Sequence, residues 1–179
     1  MKLGDLELYL MVTDRWKADG GLMFGVVPKI LWERQKPADA LNMIDCTCVC
    51  MIARINGRVI VCETGIGTKL SEKRARQVAL REPEEMLHHL GRLGIRPEEV
   101  DAVVTTHLHW DHAGGLTRRD ARGGLELTFK NARHFIQRSE WDFAVNPDVR
   151  SRPSYVLDDF EPLADGNDLV EYLDGDAEV

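Results

Sequence analysis

Apolar and polar positions change period several times along the chain, and each change marks an element. Residues 6–13 (Leu-Glu-Leu-Tyr-Leu-Met-Val-Thr) alternate and then run apolar, which predicts a first strand. Residues 14–19 are polar, and Gly20-Gly21 opens a loop. The next run, 22–28, is apolar but broken by Gly25 and closed by Pro28, a poor pattern for a regular strand. It reads either as a loop laid over a pocket or as a buried connection. Residues 46–55 and 59–63 predict a hairpin, because Asn56-Gly57 between two apolar runs favours a tight turn. The second strand runs into a polar, glycine-rich turn, Glu63-Thr64-Gly65-Ile66-Gly67.

Residues 69–82 are charged and helix-forming. Residues 83–93 predict a cleaner helix, with Pro83 at its start, Glu84 and Glu85 in its first turn and Gly94 at its end. Its apolar positions Met86, Leu87, Leu90 and Leu93 share one face, and His88 and His89 sit on it with no further ligand at metal spacing. Residues 100–106 are rich in β-branched side chains and follow a helix. They predict a buried strand of an α/β layer, whose carboxyl end delivers His107. Two more strands are predicted at 125–129 and 132–137 around Lys130-Asn131. A short helix over 139–145 follows, with Ser139 as its cap and Trp141 and Phe143 buried. Residues 148–168 are poorly periodic, 169–173 resume a strand, and no internal repeat is visible.

The length, 179 residues, fits one domain or most of one. With 23 basic and 30 acidic residues the net charge is −7, which repels phosphate backbones and argues against a nucleic-acid partner. The most basic stretch (Lys69, Lys73, Arg74, Arg76, Arg81) is interleaved with Glu72 and ends beside Glu82, and reads as a solvated helix face. Asp5 and Glu7 interrupt the start where a signal peptide is apolar. No window approaches the roughly 18 apolar residues of a membrane span. Cys46, Cys48 and Cys50 alternate along one strand and share a face, with Cys62 on the next strand. Such a row on a flat strand cannot wrap a tetrahedral ion, so it is expected to be reduced thiols packed in a cytoplasmic protein.

The chemistry concentrates in Thr106-His107-Leu108-His109-Trp110-Asp111-His112-Ala113-Gly114-Gly115. Two imidazoles two residues apart in extended backbone project to one side and can share an ion. Asp111 and His112 follow where small residues let the chain turn, and can aim at a second position nearby. Imidazole with carboxylate suits zinc, and also iron or manganese. A pair of such ions would share and acidify a hydroxide and polarise a carbonyl or phosphoryl oxygen, which is hydrolytic chemistry.

This run resembles the central motif of the metallo-β-lactamase-fold superfamily, in its lactonase-like branch. The strand and turn Val59-Ile60-Val61-Cys62-Glu63-Thr64-Gly65 are similar to that family's strand-then-Asp-Thr-Gly turn, with Glu63 where Asp is usual. Asn131-Ala132-Arg133 to Trp141 and Ser154-Tyr155 to Leu163 are similar to further segments of that branch. The resemblance implies an α/β fold, the αββα sandwich, with mainly its first βα half here: a mixed sheet and flanking helices. It implies that His107 and His109 hold one metal, and Asp111 and His112 a second. Asp111 also assists proton transfer, and Glu63 supports the ligands from behind. The implied cofactor is Zn2+, two per complete site, with iron or manganese as alternatives. The implied function is hydrolysis of an ester or lactone-type small molecule, with no nucleic-acid or membrane partner and a homo-oligomer allowed. Met23, Phe24 and Trp110 are candidates for an apolar substrate pocket, or equally for core packing.

In the family a further histidine, a bridging aspartate and a last histidine complete the site. The only histidine after the motif is His134, which reads as a strand histidine with an ordinary hydrogen bond. The chain is therefore expected to be a C-terminally incomplete domain over residues 1–179. Two other readings stay open: a mononuclear iron enzyme acting on persulfides, and an inactive partial chain.

Overall fold

The structure, a computed structural model, describes residues 1–81, 85–164 and 166–178. Its strands are β1 (Lys2–Leu3), β2 (Leu6–Asp19), β3 (Met43–Ile55), β4 (Arg58–Cys62), β5 (Ala102–Val104), β6 (Thr117–Arg119), β7 (Leu125–Leu127), β8 (Arg133–Gln137) and β9 (Val170–Leu173). Its helices are α1 (Gly20–Phe24), α2 (Lys29–Trp32), α3 (Glu72–Gln77), α4 (Glu85–Arg92), α5 (Trp110–Ala113), α6 (Arg138–Val145) and α7 (Leu157–Phe160). One mixed sheet has the order β1-β2-β3-β4-β5-β8-β9. Its first four strands pair antiparallel and the rest parallel.

The hairpin forms where expected. Asn56 and Gly57 have φ of 51° and 76°, the doubly positive turn whose twist matches the flanking strands. One face of the sheet buries Met11, Cys50, Ile52, Val61, Val103 and Ile136. Against it pack Met86 and Leu90 of α4, Trp141 and Ala144 of α6, and Phe160 of α7. Neighbouring positions point to the other face, where Leu10 is 74% and Val49 50% exposed. The core thus lies on one side of the sheet, between it and the helices.

Several expectations are corrected. Strand β2 continues through residues 14–19, past a register shift between Val12 and Asp14, because pairing with β3 overrides the polar composition. The 20–28 segment is neither strand nor plain loop. It begins with α1, capped by Asp19, and α2 follows at the tip of the long β2–β3 hairpin. The two strands expected at 125–129 and 132–137 form as β7 and β8, with β7 pairing β6 in a separate sheet and β8 lying beside β5. Ser139 does not cap α6, which starts one residue earlier after Gln137, and Phe143 is 40% exposed. Within 148–168, Phe160 and Leu163 are fully buried on short helical turns too brief to leave a period. For the 83–93 helix, α4 supports residues 85–92, and Pro83 and Glu84 lie outside the described residues. Among the described residues no helix is long and apolar enough to cross a membrane.

Candidate metal centre

Parallel pairing of β4 with β5 brings two strand ends together, with Cys62 opposite Val104. Just beyond, the Glu63 carboxylate accepts the Thr106 amide at 2.8 Å and meets His112 Nδ1 at 2.9 Å. Glu63 holds φ of 66°, a left-handed conformation that costs a non-glycine residue on the order of 1 kcal/mol. The two hydrogen bonds offset that cost. Burial pushes the Glu63 carboxyl up, but its bonds to His112 and Thr106 outweigh this and leave it below the usual range. The same bond to Glu63 raises His112 against the opposing effect of burial. His107 is lowered, first by burial and then by the neighbouring His112 and His109.

The three motif histidines cluster. The ring of His107 lies 4.1 Å from that of His112 and 4.6 Å from that of His109, centroid to centroid. Asp111 opens the first turn of α5, and its Oδ2 is 3.6 Å from His112 Nε2. Among the described residues no three His, Cys, Asp or Glu donors form a group already set to hold an ion. The donor set nonetheless fits one. Glu63 engages Nδ1 of His112 and Thr106 Oγ1 engages Nδ1 of His107 at 3.0 Å, which leaves the Nε2 atoms as the nitrogens available to an ion. An imidazole oriented by a carboxylate on its far nitrogen is a common support of metal-binding histidines.

The glycines flanking the site have a shared cause. The Thr64 amide and hydroxyl both donate to the His112 carbonyl, at 3.0 and 2.8 Å, and the Gly115 amide donates to Gly65 at 3.2 Å. The turn after β4 therefore lies backbone to backbone on the chain leaving α5. A β-carbon at Gly114 would overlap the Ile66 carbonyl, and one at Gly67 would overlap the Gly114 carbonyl. Lys69 braces the same junction. It donates to the carbonyls of Gly114 and Thr117, the latter at 2.7 Å, and pairs with Asp159 at 3.1 Å with side chains only 3% and 5% exposed. Burial pushes the Lys69 ammonium down and the Asp159 carboxyl up.

Other candidates lie apart. Phe24 stacks on Trp32 at 4.6 Å in a small cluster with Ala18 and Ile44, and Met23 is 53% exposed at the hairpin tip. Trp110 is buried in a different cluster, edge-on to Trp16 at 4.9 Å and under the Arg74 guanidinium at 4.8 Å. It borders a cavity of about 210 Å³ together with Ile66, Leu70, Arg74 and Val156. Phe24 and Trp110 thus pack in different buried clusters. His134 is fully buried and meets the Phe129 carbonyl through Nε2 at 3.2 Å, while its Nδ1 has no hydrogen-bond partner among the described residues. His89 meets the Val12 carbonyl at 3.2 Å. The four cysteines are free thiols, and Cys48 and Cys50 are buried.

Sequence reasoning missed Lys69, Asp159, Glu140 and Tyr155. Glu140 Oε1 accepts the Leu108 amide at 2.7 Å and the Tyr155 hydroxyl at 3.2 Å, and the Tyr155 ring lies 4.8 Å from that of His109. Glu140 stands in the first turn of α6 with nothing in its local sequence to mark it. No local pattern marks a charge that folding will bury.

Residues 43–123 match the model of the metallo-beta-lactamase superfamily. The N-acyl homoserine lactonase AttM of Azorhizobium caulinodans is 37% identical over 82 residues, which are 46% of this chain and 27% of that protein. A crystal structure of a probable metal-dependent hydrolase from Staphylococcus aureus superposes with a TM-score of 0.85 at 31% identity, covering 97% of this chain and 61% of that one. The fold is shared with AidC, described as a dizinc quorum-quenching lactonase in complex with a homoserine product, at a TM-score of 0.71 and 20% identity over 100% of this chain and 62% of that one. The chain thus spans less than two thirds of the length of these relatives. The family match falls on the strand, turn and histidine cluster just described, and the sheet and helices around them are similar to those of the Staphylococcus aureus hydrolase.

Proposed function

We propose that this chain carries ligands of a metal centre in a hydrolase that opens a lactone or ester of a small molecule. The observation that carries the reading is the packing of His107, His109 and His112 into one cluster, with Glu63 on the far nitrogen of His112. In this reading His107 and His109 hold one ion, and Asp111 and His112 hold a second. Divalent metal there, zinc first, would supply Lewis-acid polarisation of a carbonyl oxygen and lower the pKa of a water molecule.

The chain's own residues prepare that role. Glu63 holds the proton of His112 at Nδ1, so the Nε2 lone pair is the one available to an ion. Burial lowers His107, which favours its neutral form with a lone pair to donate. Asp111, beside His112 Nε2, is placed to take a proton from a group entering the cluster. The lactonases and hydrolase named above favour hydrolysis over the iron-dependent alternative.

Zinc uptake by the chain, measured by elemental analysis and by calorimetry, tests the assignment. His107→Ala and His112→Ala are each expected to lower affinity roughly 100-fold or more, as loss of a ligand exceeds the 10–100-fold of a lost supporting group. Undiminished uptake in either variant would refute it. Hydrolysis of N-acyl homoserine lactones against simple aryl esters then tests the substrate class.

A further inference from the structure

We infer that Glu140 and Tyr155 are positioning residues for the metal centre: one carboxylate oxygen fixes the backbone between His107 and His109, and the phenol it also binds buttresses the His109 ring. The inference deepens the metal-centre reading and rests on it. Strand β8 lies beside β5, and α6 begins directly after β8. The sheet therefore sets the first turn of α6 against the loop that leaves β5. There Glu140 Oε1 accepts two donors, the Leu108 amide at 2.7 Å and the Tyr155 hydroxyl at 3.2 Å.

Each contact limits a different freedom. The Leu108 side chain is fully buried, so its amide bond to Glu140 pins both ends of the residue that separates two ligands. Tyr155 pairs its backbone with His109 in an antiparallel bridge and sets its ring edge-on to the imidazole at 4.8 Å and 74°. Phe143, from the same helix as Glu140, also lies edge-on to the Tyr155 ring, at 5.8 Å. The Tyr155 hydroxyl donates and the Glu140 carboxylate accepts. Charged acceptors make the stronger hydrogen bonds, which suits a joint that must hold two ligands while an ion is bound.

The test compares wild type, E140A, E140Q and Y155F for zinc affinity by chelator competition, for hydrogen exchange at the Leu108 amide, and for thermal midpoint without metal. E140A is expected to weaken zinc binding roughly 10–100-fold, the usual effect of losing a group behind a ligand. It should also speed Leu108 exchange at least about tenfold, the loss of one charge-assisted bond. E140Q keeps an acceptor and should stay within about threefold of wild type in both readouts. Rescue by E140Q at a similar thermal midpoint separates positioning from general destabilisation. Should E140A fail to fold, Y155F, which deletes one hydroxyl, carries the same comparison with a smaller loss. Wild-type affinity and exchange in both E140A and Y155F would overturn the inference. A wild-type chain that takes up no zinc would overturn the metal-centre reading instead, and Leu108 exchange would still decide whether Glu140 pins the loop.

Discussion

Removing one partner of the Lys69–Asp159 pair should cost far more than removing both. The two side chains are 3% and 5% exposed and 3.1 Å apart, so neither charge has water to fall back on. Deleting one partner of a buried pair typically costs about 3–5 kcal/mol, because it strands the other charge. In Lys69→Met the carbonyls of Gly114 and Thr117 also lose their donor, at about 1–3 kcal/mol for each buried group left unmade. Part of this is recovered, since burial already pushes Asp159 up and it can take a proton. In Asp159→Asn the ammonium keeps both carbonyls but loses its counter-charge. The double variant Lys69→Met/Asp159→Leu leaves no stranded charge, so its loss should fall short of the sum of the singles by at least about 2 kcal/mol. The assay is urea unfolding at pH 7.5 followed by tryptophan fluorescence, since Trp110 borders the same cavity as Lys69 and Asp159. Single losses under about 1 kcal/mol, or an additive double variant, would refute the reasoning.

Three further outcomes follow from the same contacts. Burial lowers His134 from 6.5 to about 4. The unfolded chain therefore binds the extra proton first, and stability that is complete above pH 6.5 should fall by up to about 3 kcal/mol as pH drops toward 4. His134→Leu should flatten that part of the pH–stability curve, and an unchanged slope would exclude His134 as the cause. Gly114→Ala must displace the Ile66 carbonyl, and is expected to cost more than about 3 kcal/mol in urea unfolding and to weaken zinc uptake. Glu63→Gln keeps one acceptor for two donors and should weaken zinc affinity roughly tenfold, with Glu63→Leu nearer 100-fold, measured by chelator competition.

Local pattern carried the reading where the physics is local. The Asn56-Gly57 turn needs two positive φ angles, and few residue pairs accept them. The motif histidines were legible because two residues in extended backbone share a side, and because small residues permit the turn at Ala113-Gly114. Pattern failed where pairing decides. Residues 14–19 are polar yet lie in β2, because β3 offers a continuous partner. That residues 125–127 pair with β6, outside the main sheet, was not legible in the pattern and is set by which edges come within reach.

The residues that hold the site from behind form the largest gap. Glu63 could be flagged from its place in a strand-and-turn motif, but its bond to His112 depends on two parallel strand ends meeting. Lys69 and Asp159 are 90 residues apart, and each looks like a surface charge until the fold removes the water around it. Glu140 and Tyr155 reach the motif only because α6 starts beside the loop after β5. Which side chains can donate to a metal is written in the order of residues along one short segment. Which groups aim and brace those side chains depends on contacts between segments far apart in the chain, and such contacts exist only once the sheet has brought those segments together.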